Sequence, residues 1–219
     1  MGTITRSLAN NITTSGVILP AGITNSSVSA VTSFANAAGG TLTLLSTQTA
    51  SNSATISFTT GLDSTYDEYQ FHFINVQPVS AGNYTFQFNM STDGGSNYNV
   101  TKTSTFIVAY HNEADTDAAL TYDTGFDLAQ STSFQPISSG VGNVDESASG
   151  SMTLFNPSST TYVKHFISQT SSLRRDAVYG YTNYVAGYGN TTSAINAVQF
   201  KMSTGNINGD IKLYGVKKS

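Results

Sequence analysis

Residues 111 to 117, His-Asn-Glu-Ala-Asp-Thr-Asp, are the best candidate in the chain for binding a metal ion. Glu113, Asp115 and Asp117 offer three carboxylates within five positions, and hard cations such as calcium bind through several oxygen ligands. The spacing lacks the central glycine and terminal glutamate of an EF-hand loop. The segment is therefore a weak candidate for a cation site, and a solvated loop between strands explains the same residues.

Catalytic side chains show no recognisable spacing. His72, His111 and His165 lie far apart, whereas a zinc site needs three or four ligands at short, regular intervals. His165 lies on the same face of a predicted strand as Val163 and Ile167, which predicts a hydrogen-bonded, partly buried histidine. The many serines mark no catalytic triad, and the 13 acidic residues mark no glycosidase pair. We therefore predict no enzymatic activity and no cofactor.

The most aromatic stretch of the chain runs from residue 179 to residue 188. Tyrosine combines a flat apolar ring with a hydroxyl group, which suits stacking on a sugar or packing in a protein interface. Ordinary packing within a sheet explains the tyrosines equally well. Their spacing changes phase midway, which predicts a bulge or a turn. The candidate binding residues are Tyr179, Tyr181, Tyr184 and Tyr188.

These side chains must be held by strands, because much of the chain alternates apolar and polar residues with a period of two. We predict about eleven strands, too many for one open sheet. An all-β fold follows: a two-sheet antiparallel sandwich of jelly-roll or lectin-like type over residues 41 to 219. The predicted strands include 41–48 and 54–58, with Leu42, Leu44, Ile56 and Phe58 inward, then 69–73, 84–90, 100–110, 128–137, 149–155, 162–168, 179–188 and a closing hairpin between 195 and 216.

Residues 1 to 40 differ from the rest of the chain. They are rich in Thr, Ser, Asn, Ala and Gly, and they bury too little apolar surface to order alone. We interpret them as an extended arm for anchoring or oligomer contacts, with a mobile tail as the alternative. Only residues 30–38 and 113–120 are compatible with a helix. The candidate anchors of the arm are Ile4, Leu8, Ile12, Val17, Ile18 and Leu19.

Composition excludes several classes of partner. The net charge is −4, and charged residues make up 10% of the chain, well below the usual quarter. Nucleic acid is not an expected partner, because phosphate binding requires clustered basic residues. No segment approaches the roughly 20 apolar residues that span a bilayer, and the start of the chain lacks a secretory signal. With no cysteine, the fold must be held together by packing and by partner subunits.

Three segments of the chain resemble virion proteins of tailed phages, especially phages of marine bacteria. They are residues 63–69 (Asp-Ser-Thr-Tyr-Asp-Glu-Tyr), 91–98 (Ser-Thr-Asp-Gly-Gly-Ser-Asn-Tyr) and 211–216 (Ile-Lys-Leu-Tyr-Gly-Val). Residues 4–10 (Ile-Thr-Arg-Ser-Leu-Ala-Asn) are also similar to the openings of such proteins. The resemblance implies a capsid decoration, knob or tail-fibre protein on the outer surface of the virion. It implies no binding residues.

The resemblance leads to two expectations about function. The first is a non-enzymatic accessory structural protein, displayed on the capsid or tail and tethered by its arm. A homo-oligomer, with a trimer favoured, would bury the apolar faces that a monomer exposes. The second is a carbohydrate-binding module that recognises a host surface glycan through the tyrosines.

Overall fold

Antiparallel strands make up the regular structure of the chain. The computed structural model describes residues 41–142, 145–175 and 179–217, together with two short strands near the start. The strands are β1 (Ile12–Thr13), β2 (Gly16–Val17), β3 (Leu42–Ser53), β4 (Ile56–Phe58), β5 (Glu68–Pro78), β6 (Phe86–Ser91), β7 (Lys102–Asn112), β8 (Ala118–Tyr122), β9 (Gln135–Pro136), β10 (Ala148–Phe155), β11 (Lys164–Arg174), β12 (Tyr179–Gly189), β13 (Ala197–Met202) and β14 (Ile207–Val216).

Two sheets pack against each other as a sandwich, which confirms the predicted fold class. Eight strands form one sheet in the order β3-β14-β5-β10-β11-β12-β7-β8, and four form the other in the order β4-β13-β6-β9. The described residues contain no helix, so nothing among them could cross a membrane in helical form. The helix that the sequence allowed at 113–120 does not form, because 113–117 form a turn and β8 begins at Ala118.

Phenylalanine side chains fill the space between the sheets, because every second residue of each strand points inward. Phe200 of β13 lies at the centre of this group and is fully buried. Its ring centroid lies 5.1 Å from that of Phe71 and 5.3 Å from that of Phe73 in the opposite sheet. Phe58, Phe86 and Phe88 complete the group around it. The inward orientation predicted for Ile56 and Phe58 is confirmed.

The closing segment crosses the sandwich and does not form a paired hairpin as predicted. β13 pairs with β4 and β6 in the four-stranded sheet, whereas β14 pairs with β3 and β5 in the eight-stranded sheet. The turn between them contains Gly205 at a φ of 75°. Both strands still bury their apolar faces in the same core, which is the property that their alternation predicted.

Two further predictions about strands are wrong. Leu42 and Leu44 are 38% and 54% exposed, because β3 has a bulge that leaves Leu45 without a register partner and packs it against the core instead. The predicted strand at 128–137 is reduced to β9, and the rest of that segment is irregular. Its residues alternate as in a strand, but its backbone forms hydrogen bonds at separate points, including those to the backbone of β7 and β6 and to the Ser104 hydroxyl.

The described start of the chain is a small unit of its own. β1 and β2 pair antiparallel, with Ile12 opposite Val17. The remaining predicted anchors, Ile4, Leu8, Ile18 and Leu19, lie outside the described residues, as does the possible helix at 30–38.

Candidate functional site

The four candidate tyrosines lie on β12 but do not share a surface. β12 pairs with β11 and β7 in continuous register from Tyr179 to Gly189, so the predicted bulge is wrong. An uninterrupted strand places residues of odd and even number on opposite faces. Tyr179 and Tyr181 therefore lie on the inner face with the buried Val185, and Tyr184 and Tyr188 lie on the outer face.

The inner tyrosines form a cluster with each other. The ring centroids of Tyr179 and Tyr181 lie 5.6 and 5.8 Å from that of Tyr110 on β7. The Tyr179 hydroxyl donates a 2.7 Å hydrogen bond to Oδ2 of Asp117, and this bond raises the pKa of Tyr179. Tyr181 also packs against the core. These contacts stabilise the end of the sandwich, and both tyrosines are half-buried.

Of the two outer tyrosines, only Tyr188 lines an open hollow in the face of the large sheet. Tyr184 is 46% exposed, and its hydroxyl accepts a 3.0 Å hydrogen bond from Gln169. Tyr188 lies beside His165, with ring centroids 6.2 Å apart. The hollow has a volume of about 440 Å³ and a mostly apolar lining: Thr105, Phe155, His165, Phe166, Ile167, Ala186, Gly187 and Tyr188.

The acidic segment forms the turn between β7 and β8, and the carboxylates of Asp115 and Asp117 bind other protein groups. His111 Nε2 lies 3.0 Å from Oδ1 of Asp115, while Asp117 accepts the bond from Tyr179. Asn112 caps the turn by accepting hydrogen bonds from the backbone N–H groups of Thr116 and Asp117. Within the described ranges, no group of three His, Asp or Glu side chains is arranged to hold a metal ion. Nothing in this turn supports the weak cation candidate.

The prediction of a partly buried His165 is wrong, since its side chain is exposed on the outer face of β11. The inward residues of β11 are instead Lys164, Phe166, Ser168 and Thr170, three of which are polar. The reason lies in what faces them. The Thr170 hydroxyl donates a hydrogen bond to the backbone carbonyl of Ile137, in the irregular segment.

Two fully buried lysines were missed by sequence analysis. Lys164 and Lys102 are both paired with Gly189 of β12, so they lie in one row across three strands. The Lys102 ammonium donates 2.5 and 2.8 Å hydrogen bonds to Asn89 Oδ1 and the Val100 carbonyl. Burial lowers the pKa of Lys102 to about 7.

Lys164 is held in the same manner. Its ammonium donates to three backbone carbonyls, the closest being that of Tyr162 at 2.6 Å, and burial lowers its pKa as well. Gly189, between the two lysines, leaves room for Met90 and Val100, because a Cβ there would lie 2.9 and 3.0 Å from their side chains. Sequence alternation contains a weak signal of this arrangement, because Lys102 and Lys164 each precede a buried phenylalanine by an even number of positions.

Buried polar side chains hold the irregular segment between the sheets. Gln135 accepts a hydrogen bond from the Ser104 hydroxyl and donates to the carbonyls of Phe126 and Pro136. Asn183 accepts from the backbone N–H of Ser139. Backbone groups buried away from water must be paired, so this layer lets residues 137–138, which follow β9 without regular structure, lie in the interior. These contacts are structural.

Comparison with known proteins found no match to a protein-family model, to a curated protein or to a solved structure.

Proposed function

We propose that this chain is a non-enzymatic structural component of a tailed-phage particle, displayed on the outer surface of the capsid or tail as a homo-oligomer. The N-terminal arm tethers it to the particle or to a neighbouring subunit. The sequence resemblance described above supports the phage lineage, and a trimer is the favoured assembly.

One observation supports a subunit in an assembly above all others. Five large apolar side chains are exposed together on the outer face of β8, β7, β12 and β11: Ile107, Leu120, Tyr122, Ile167 and Tyr184. Monomeric soluble proteins rarely expose a contiguous apolar patch of more than a few hundred Å². A neighbouring subunit that covers this face removes the apolar side chains from water.

Co-sedimentation tests the proposal. The full-length protein, a version lacking residues 1–40 and a full-length Leu8→Asp variant are each mixed with phage particles stripped of the protein, and separately with host cells. The shortened version keeps both sheets of the sandwich, whose hydrogen bonds lie within residues 41–217. Binding to particles that requires the arm supports the proposal. Binding to cells that is independent of the arm contradicts it.

The hollow beside Tyr188 favours a second candidate function, a carbohydrate-binding module that recognises a host glycan. An aromatic ring beside an apolar depression suits stacking on a sugar ring. A Tyr188→Ala variant should then lose binding to host cells, and soluble sugars should compete with the intact protein. Tyr162→Ala is the matched control, because Tyr162 is 69% exposed and does not line the hollow.

A further inference from the structure

Strand β8 is an edge strand with an open side. It pairs with β7 alone, and no other described strand lies beside it. The backbone N–H of Asp123 donates to Phe106, and that of Asn112 donates to Asp117, so the odd-numbered residues 117 to 123 are the ones bonded to β7. Antiparallel pairs alternate in this respect, so the N–H and C=O groups of Ala118, Leu120 and Tyr122 point to the open side. Three positions thus face the open side, and of their carbonyls that of Tyr122 accepts a 3.2 Å hydrogen bond from the Thr121 hydroxyl.

Nothing in β8 protects this edge. Natural edge strands are shielded by charged side chains, proline, bulges or a covering loop. β8 reads Ala-Ala-Leu-Thr-Tyr, all five residues are exposed, and Leu120 is 74% exposed. Leu120 and Tyr122 lie on the outer face, next to Ile107. An added strand would bury both the open backbone groups and this part of the apolar face.

Charge decides which strand fits. Residues 103–163 contain no lysine or arginine, and five acids flank β8: Glu113, Asp115, Asp117, Asp123 and Asp127. A second β8 paired about a two-fold axis would place Asp117 of one copy beside Asp123 of the other, and like charges oppose such pairing. A segment with a basic residue and no acid is complementary instead.

The chain contains such a segment at its start. Residues 1–62 have no Asp or Glu, and their one charged residue is Arg6. Residues 3–8, Thr-Ile-Thr-Arg-Ser-Leu, alternate so that Ile4, Arg6 and Leu8 share a face of an extended strand. Three of the six are β-branched, a composition typical of strands.

We propose that residues 3–8 of a neighbouring copy add to β8 as an antiparallel ninth strand of the large sheet. Leu8 opposite Leu120 places Arg6 opposite Tyr122, whose hydroxyl donates a 2.6 Å hydrogen bond to Asp127. Arg6 then meets both the tyrosine ring and the Asp127 carboxylate. The inference rests on the proposed homo-oligomer, and it names the segment and the edge that hold the copies together.

A charge exchange in the full-length protein tests this contact without phage. Analytical ultracentrifugation measures self-association of the unchanged protein and of the Arg6→Glu, Asp127→Arg and doubly exchanged variants. Each single change places like charges together and should weaken self-association by about tenfold or more, and the double exchange should restore most of it. Leu120→Lys should weaken association to a similar extent, whereas Tyr162→Lys should not. Circular dichroism confirms that each variant is folded.

The outcomes separate this inference from the proposed function. Two outcomes overturn the contact between residues 3–8 and β8. In the first, the single exchanges leave self-association unchanged, and the homo-oligomer itself stands. In the second, both single exchanges weaken self-association and the double variant does not recover it. A protein that stays monomeric at every concentration overturns both the contact and the homo-oligomer. Binding to stripped particles is measured separately, so a failure there leaves the self-association result intact.

Discussion

The buried Lys102 leads to a prediction about stability and pH. Its ammonium lies between the sheets with a carboxamide and a carbonyl as acceptors, and burial lowers its pKa from 10.5 to about 7. In the unfolded chain the lysine keeps its proton up to about pH 10.5. Between about pH 7 and pH 10.5, Lys102 therefore binds a proton in the unfolded state and not in the folded state, so the free energy of unfolding should increase with pH.

The size of the effect follows from the shift. Each pKa unit corresponds to about 1.4 kcal/mol, so the whole shift amounts to roughly 5 kcal/mol. Over the accessible range from pH 7 to pH 9.5, we expect a gain of roughly 3 kcal/mol. Burial raises the pKa of Tyr69, so ionisation of Tyr69 lowers the free energy of unfolding only above pH 10, outside this range.

Urea unfolding followed by circular dichroism measures this effect, since the chain contains no tryptophan. The unchanged protein is compared with Lys102→Met, which keeps the apolar stem and removes the amine. The unfolding free energy of the unchanged protein minus that of Lys102→Met should increase with pH across the range. Lys217→Met is the control, because Lys217 is exposed and its variant should follow the unchanged protein. Parallel curves for the unchanged protein and Lys102→Met would refute the lowered pKa of Lys102.

Three further substitutions test the packing. Phe200→Ala should lower the free energy of unfolding by about 3 to 5 kcal/mol, because it empties the centre of the phenylalanine core, while Tyr162→Ala should change it by less than about 0.5 kcal/mol in the same urea titration. Gly187→Ala should cost roughly 1 to 3 kcal/mol in thermal unfolding, because its Cβ would lie 2.5 Å from the Thr103 carbonyl oxygen, and Gly180→Ala in the same strand should be nearly neutral. Asn183→Ala should lower the free energy of unfolding by roughly 1 to 3 kcal/mol and increase hydrogen exchange at residues 137–139. Unchanged protection of these residues in the variant would show that the Asn183 amide does not hold this segment.

Sequence alternation by itself determined the fold class and much of the core. Successive residues of a strand point to opposite faces, so apolar residues at every second position share one face, which can be buried. The core phenylalanines follow this pattern: Phe71, Phe73, Phe86, Phe88 and Phe200. The composition of residues 1–40 likewise separated them from the sandwich. The candidate tyrosines were correctly placed on one strand, but the phase of their spacing was misread.

Only the tertiary structure decided which sheet each strand joins and which polar residues face inward. β13 and β14 are adjacent in sequence, yet long-range pairing places them in different sheets. Alternation cannot show that β11 turns Lys164 and Thr170 inward and His165 outward, because that choice depends on the buried backbone of a distant loop. The polar layer arises since every buried carbonyl and N–H of residues 126–139 needs a partner. Such partners are set by contacts across the sandwich, which local sequence does not encode.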